Sequence, residues 1–83
     1  VTAFILISFD SNSNISQREL ASKISLMSGV EEVFIISGEW DLILKVRARS
    51  AEDVGSIIID KLRTFEGVGK TTTCISFSVI KED

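Results

Sequence analysis

The chain has 83 residues, of which 9 are basic and 12 acidic, so its formal net charge is −3. With one cysteine and no histidine, it cannot form an intrachain disulfide, a Cys/His zinc site or a histidine-based catalytic centre. The acidic balance argues against direct contact with nucleic acid, and no stretch approaches the ~20 apolar residues of a membrane helix, so we expect one soluble cytoplasmic domain with neither metal nor cofactor.

The first strand and the first helix are marked by composition and by capping residues. Residues 2–9 are rich in β-branched and aromatic side chains and precede a polar turn cluster, which predicts a strand followed by a loop. Ser16 and Glu19 form a capping-box pattern, and Gly29 stands where a helix-terminating glycine belongs. The helix between them has an apolar stripe at helical spacing, formed by Leu20, Ile24 and Met27.

A hairpin follows this helix. Residues 30–37 and 42–48 predict two strands, and their short connection favours antiparallel pairing. In residues 42–48, successive side chains point to opposite faces of the strand, which places Leu42, Leu44 and Val46 on one side.

The rest of the chain contains another helix and another strand. Ser50 and Asp53 repeat the capping-box pattern, and Gly67 marks the end of the helix. Residues 68–80 predict the last strand. A helix with an apolar stripe is predicted from the spacing of Val54, Ile58, Lys61, Leu62 and Phe65.

The resulting order is strand, helix, strand, strand, helix, strand, which is two strand–helix–strand units in succession. Two right-handed crossovers of this kind, interleaved in one antiparallel sheet, give an α+β, ferredoxin-like βαββαβ fold. The sequence therefore predicts a four-stranded antiparallel sheet of spatial order 4-1-3-2, with both helices on one face.

The first strand is apolar on both sides, since Phe4 and Leu6 alternate with Ile5 and Ile7 rather than with polar residues. The second strand shows the same lack of alternation. The sheet face without helices would then be an apolar patch larger than soluble monomers usually expose. We therefore expect two such faces to pack together in a dimeric α+β sandwich or barrel.

Two groups of polar residues form a candidate ligand site. The turn between the hairpin strands, Ser37-Gly38-Glu39-Trp40-Asp41, supplies a carboxylate and glycine-turn amides, and residues 71–73 supply threonine hydroxyls. The carboxylate would pair with an ammonium group, while amides and hydroxyls would bind a carboxylate, as a zwitterion requires. The alternative is that the threonines are present only because threonine is a good strand residue.

Two other features have simpler explanations, and the Asp41 carboxylate of the candidate site has an expected exposure. Cys74 has no activating neighbour in the sequence and is expected to be buried and inert. Asp41, as a turn carboxylate, is expected to be exposed and to matter little for folding. Lys45, Arg47 and Arg49 share a strand face, where they would bind an anion or, more commonly, line a solvated edge.

The segment Ser37-Gly38-Glu39-Trp40-Asp41 and the hydrophobic residues after it resemble the "Thr-Gly-x-Tyr-Asp-hydrophobic" segment of the leucine-responsive regulatory protein/AsnC family. Residues 66–76 resemble its "Gly-Val-x-x-Thr-x-Thr-x-hydrophobic" segment. Both motifs, in this order and on this succession of elements, are similar to the effector-binding module of that family, the regulation-of-amino-acid-metabolism (RAM) domain.

The resemblance implies the fold derived above, dimers whose sheets pack face to face, rings of dimers such as octamers, and an amino-acid effector bound between dimers. Carried over by motif, Gly38 and Asp41 belong to the effector loop, and Thr71 and Thr73 are the family's threonine pair. Trp40 takes the place usually held by tyrosine.

Family regulators also have a helix-turn-helix domain, which these 83 residues lack. We therefore expect a stand-alone RAM protein that does not bind DNA itself and whose partners include full-length family regulators.

Two other functions stay open at this stage. One is a small ferredoxin-like dimeric enzyme of the cofactor-free oxygenase type, for which Asp41, Trp40 and Cys74 are the available candidates. The other is a purely structural oligomerisation partner without a ligand. An amino-acid-sensing, non-enzymatic module agrees best with the two motifs.

Overall fold

The computed structural model describes residues 1–83 and has the predicted α+β fold. Its four strands form one antiparallel sheet of order β2-β3-β1-β4, which is the predicted order read from the other edge. The strands are β1 (Thr2–Phe9), β2 (Val30–Ile35), β3 (Leu42–Arg47) and β4 (Val68–Ile75). β1 and β3 lie in the centre, and β2 and β4 form the two edges.

Two helical segments connect these strands. Helix α1 is Gln17–Ser25. The second, called α2 here, consists of an α-helical turn (Ala51–Asp53), a π-helical segment (Val54–Ile59) and a final α-helical turn (Asp60–Leu62). The π-helical segment was not predicted. In this wider helix both Ile58 and Ile59 are buried, while the adjacent Ile57 is exposed.

The predicted capping box of α1 is complete, whereas only the serine half of the box predicted for α2 is made. The Ser16 hydroxyl accepts a hydrogen bond from the Glu19 N–H at 3.1 Å, and the Glu19 carboxylate accepts one from the Ser16 N–H at 3.2 Å, which completes the capping box. At the start of α2, the Ser50 hydroxyl accepts from the Asp53 N–H at 3.1 Å. The Asp53 carboxylate lies instead 3.6 Å from Arg49 Nε.

The core lies between the helices and one face of the sheet. It consists of 12 buried hydrophobic residues, and the three inward side chains predicted for β3 are all among them. Alternating residues of β1 complete the sheet side, and α1 and α2 supply the rest. The core members are Ala3, Ile5, Ile7, Leu20, Ile24, Leu42, Leu44, Val46, Val54, Ile58, Ile59 and Leu62.

The opposite face of the sheet, called the open face here, is covered by no helix and is largely apolar. Because residues opposite each other in antiparallel strands share a face, the register defines its rows. One row is Phe34, Ile43, Leu6 and Thr72, and the next is Glu32, Lys45, Phe4 and Cys74. The phenylalanines of both rows are exposed, and Lys45 Nζ lies 4.0 Å from the Glu32 carboxylate.

Two predictions about β4 are wrong. The strand ends at Ile75 rather than at residue 80, because its partner β1 ends there: Ile75 pairs with Ala3, and the Ser76 N–H donates to the Thr2 carbonyl at 2.9 Å as the last backbone bond. Cys74 is exposed rather than buried, because its register opposite Phe4 places it on the open face.

The hairpin strands are also shorter than predicted. β2 ends at Ile35 rather than at residue 37, and β3 ends at Arg47 rather than at residue 48. Neither helix has the length and apolar character needed to cross a membrane.

Candidate functional site

Asp41 is the best-fixed of the predicted site residues. Its carboxylate Oδ2 accepts a hydrogen bond from the Phe9 N–H at 2.7 Å, and its own N–H donates to the Ile7 carbonyl at 3.0 Å. Its carbonyl accepts from the Ile36 N–H at 2.9 Å and from Gln17 Nε2 at 3.0 Å. Asp41 is therefore half-buried and joins β1, the hairpin and the start of α1, which corrects the expectation of an exposed turn carboxylate.

The hydrogen bond from the Phe9 N–H uses only one of the two carboxylate oxygens of Asp41. A carboxylate has about four lone-pair sites, so the second oxygen remains able to pair with a cation. The fixed backbone on both sides holds that oxygen in one place, and preorganisation of this kind lowers the entropy cost of binding.

The turn beside Asp41 is open. Gly38 has φ = +128°, a conformation that side-chain-bearing residues rarely adopt, and a Cβ added there would meet no atom of a non-neighbouring residue within 4 Å. Trp40 is half-buried but is not among the side chains packed against the core. Its indole ring is therefore not part of the core.

Thr71 and Thr73 lie on the edge strand β4. They are opposite Ile7 and Ile5 of β1, so they belong to the helix-covered side of the sheet, at its outer rim. Thr71 is half-buried and Thr73 is exposed. Neither hydroxyl makes a hydrogen bond to another protein group, so both have their donor and acceptor sites available.

Within one protomer, the hairpin turn and the threonines do not meet. Leu42, which follows Asp41, and Thr71 are separated by β1, which at two strand spacings is about 10 Å. None of the surface cavities is lined by Gly38, Trp40, Asp41, Thr71 or Thr73. Nor does any cluster of three or more acidic or cysteine side chains have the arrangement of a metal site.

Sequence reasoning missed two residues that shape this region. Gln17 holds the Asp41 carbonyl, and no local pattern distinguishes it from any other polar residue at the start of a helix. Ser8 accepts a hydrogen bond from the Lys70 N–H at 2.7 Å, next to a register shift in β1. Gly69 allows this approach, because a Cβ there would lie 2.6 Å from Ser8 Oγ and 3.0 Å from Ser8 O.

Comparison with known proteins gives consistent matches. Residues 2–83 match the family model described as the Lrp/AsnC ligand binding domain. An uncharacterized HTH-type transcriptional regulator of Pyrococcus abyssi (strain GE5 / Orsay) is 57% identical over 82 residues, which are 99% of this chain and 55% of that protein. The chain thus spans about half the length of the curated regulators it matches.

Two further matches are of other kinds: one covers a small part of an enzyme, and the other is a similarity of structure. The homocitrate synthase of Saccharolobus islandicus (strain L.S.2.15 / Lassen #1) is 34% identical over 70 residues, which are 84% of this chain but 15% of that enzyme. A crystal structure of a Neisseria meningitidis transcriptional regulator in complex with L-Met has a TM-score of 0.85 at 21% identity, over 98% of this chain and 52% of that one. The second likeness concerns the fold alone.

The match along residues 2–83, the high identity to archaeal regulators and the shared fold lead to one assignment. The chain belongs to the Lrp/AsnC ligand-binding domain family.

Proposed function

We propose that this chain is a non-enzymatic, amino-acid-sensing regulatory module that acts as an oligomer. The open face would join two copies, and an amino-acid effector would bind where dimers meet. The observation that carries the proposal is the separation of Asp41 from Thr71 and Thr73 within one protomer, on either side of β1. A site that uses all of these groups needs more than one chain.

The open face supports the dimer. Phe4 and Phe34 are both exposed on it, with Leu6 and Ile43 between them. At ~25 cal/mol per Å² of apolar surface, covering four large side chains of this kind stabilises an association by several kcal/mol. Two sheets packed face to face achieve this without a change of fold.

The chemistry of the separated groups supports a zwitterionic ligand. The free Asp41 oxygen would pair with the ligand's ammonium group, while the backbone beside Gly38 and the hydroxyls of Thr71 and Thr73 would bind its carboxylate. Trp40 would contact the ligand's side chain. The complex of the Neisseria meningitidis regulator with L-Met supports an amino acid as the ligand class.

Regulation would follow from linkage. A ligand that binds only where two dimers meet stabilises that assembly by RT ln(1 + [L]/Kd), about 2.7 kcal/mol at a hundredfold excess over Kd. The archaeal relatives are named transcriptional regulators, so the partners of this assembly would be full-length regulators of the same family, reached by mixed assembly.

The proposal is tested by calorimetry of the wild-type chain against the twenty amino acids, with sedimentation velocity on the same samples. We expect one or a few amino acids to bind and to shift the protein towards a larger assembly. Assembly without any binding at millimolar ligand would contradict the sensing role and indicate a purely structural partner. A monomer at all concentrations would contradict the oligomer.

A further inference from the structure

The helix side of the protein has an apolar patch that nothing in the protomer covers. Leu26, directly after α1, and Ile57, in α2, are 86% and 56% exposed. Met27 and Phe65 are partly buried against the core and line the same surface cavities as these two residues. Exposed apolar side chains that lie together and are surrounded by polar groups mark sites of interaction.

The backbone under this patch is fixed by hydrogen bonds. The Leu26 N–H donates to the Lys23 carbonyl at 3.2 Å, and the Met27 N–H donates to the Ile24 carbonyl at 3.0 Å. Ile57 lies in the π-helical segment of α2, a kind of helix that is rare and is often found at functional sites. The patch is therefore formed by the fold itself and does not belong to a loose end of the chain.

The patch forms a groove between the end of α1 and α2. Two cavities of about 330 and 210 Å³ share Met27 and Lys61, so they are continuous with each other. Ile57, Lys61 and Phe65 follow one another at intervals of four residues, which gives the groove a length of about 12 Å, or two helical turns. We call it the helix-side groove, and its larger lining residues are Lys23, Leu26, Met27, Ile57, Lys61 and Phe65.

The charge of the helix-side groove is opposite in sign to that of the whole chain. Lys23 and Lys61 are exposed, and neither takes part in an ion pair, since the three ion pairs of the protein use Lys45, Arg47 and Arg49. No acidic side chain lines either cavity. The groove is therefore positive although the net charge of the chain is −3, so it is complementary to an apolar surface flanked by carboxylates.

We propose that the helix-side groove binds an amphipathic helix of another protein. Apolar residues of that helix, spaced three or four apart, contact Leu26 and Ile57, and its acidic residues pair with Lys23 and Lys61. The groove lies on the helix-covered side of the sheet, so the open face is not involved. The proposed function thereby gains a surface for a regulatory partner, and the inference depends neither on the effector nor on the dimer.

Fluorescence anisotropy with two labelled synthetic peptides tests the groove. Each peptide has roughly 15 residues and a leucine stripe at helical spacing, which is flanked by glutamates in one peptide and by lysines in the other. We expect the wild-type chain to bind the glutamate peptide at least about tenfold more tightly at low salt. The net charge of −3 favours the lysine peptide in non-specific binding, so the opposite preference indicates a local contact.

Charge reversal locates the contact. Lys23→Glu combined with Lys61→Glu should invert the preference, so that the lysine peptide binds more tightly. Arg63→Glu is the matched control, because Arg63 is an exposed cation directly after α2 that does not line the groove, and it should keep the wild-type preference. Ile57→Ser should weaken the binding of both peptides, since it removes an apolar contact while leaving the lysines in place. Circular dichroism checks that each variant is folded.

Three results would overturn the inference: no binding of either peptide, a wild-type preference for the lysine peptide, or an inversion by Arg63→Glu as complete as that by the lysine variant. Co-sedimentation with phosphatidylglycerol vesicles in the absence of peptide binding would assign the groove to an anionic membrane surface instead and would also overturn it. None of these results affects the effector site or the open-face dimer, because the residues of the groove belong to neither.

Discussion

Asp41 has a structural role in the protomer and, in the proposed function, a binding role as well. One carboxylate oxygen holds the Phe9 N–H, 32 residues away along the chain, and the other is free. A carboxylate that is bonded to the end of β1 in this way cannot be removed without disturbing the sheet. Substitutions that separate the two roles are therefore the informative ones.

Asp41→Asn and Asp41→Ala separate these roles. Asparagine keeps a carbonyl oxygen for the Phe9 N–H, so we expect its free energy of unfolding to stay within about 1 kcal/mol of wild type, whereas alanine leaves that donor unpaired and costs about 1–3 kcal/mol. Both remove the charge, so both should weaken amino-acid binding in the proposed site. Urea denaturation and calorimetry measure the two effects. Equal stabilities of the two variants would contradict the structural role.

Substitution of Gly69 tests the close packing at the start of β4, and substitution of Gly55, in α2, is its control. Gly69→Ala would place its Cβ 3.0 Å from a backbone oxygen of β1, and we expect a loss of about 1–3 kcal/mol, as is usual for overpacking. Gly55, in α2, has nothing within 4 Å of an added Cβ, so Gly55→Ala should gain up to about 1 kcal/mol. Thermal and urea unfolding measure both. Similar values for the two would argue against the close approach of Ser8 and Gly69.

At the scale of single elements, the caps are what the sequence specifies most directly. Each cap involves residues three apart, and the Ser16–Glu19 pair makes both of the predicted hydrogen bonds. Inside α2 the helical spacing places Ile58 in the apolar stripe, but it does not indicate that the adjacent Ile59 is buried as well. The packing against the sheet decides this, and the π-helical segment is the result.

Ser16→Ala tests the cap of α1. Loss of its hydroxyl leaves the Glu19 N–H without its side-chain partner, and we expect the free energy of unfolding to fall by about 1 kcal/mol. Ser22→Ala, on the exposed side of the same helix, serves as the control and should change stability by less than about 0.5 kcal/mol. Chemical denaturation of both variants is the measurement. A loss as large for Ser22 as for Ser16 would show that helix content, rather than the cap, is being measured.

At the scale of the whole molecule, the two faces of the sheet have different roles. One is closed by helices and holds the core, and the other remains apolar and uncovered. One face therefore stabilises the monomer, and the other is the face that the proposed function assigns to assembly. The separation of the hairpin from β4 has a similar consequence, since it leaves the proposed effector site to be completed by neighbouring chains.

Phe4→Lys tests the open face as a dimer interface. The new cation would lie opposite Lys45 and remove apolar area, so we expect the dimer dissociation constant to rise more than tenfold while the monomer stays folded. Ile57→Lys is the matched control, because Ile57 is also an exposed apolar residue but lies on α2. Sedimentation velocity and circular dichroism distinguish assembly from folding. Equal weakening by both variants would place the interface elsewhere.

The sequence by itself determined the order of the elements, the sheet order, the two capped helices and the inward set on β3. These follow from signals that act between residues close in the chain, namely alternation of period two, helical spacing, caps and terminal glycines. The motifs also indicated the family correctly.

The tertiary structure alone decided what depends on which strands become neighbours. β4 ends at Ile75 because β1 provides no partner beyond Thr2, and Cys74 is exposed because its register places it on the open face. Asp41 is half-buried because the end of β1 passes beside it. Residue types alone group the hairpin turn with the threonines, but the position of β1 between them keeps these groups apart in one chain.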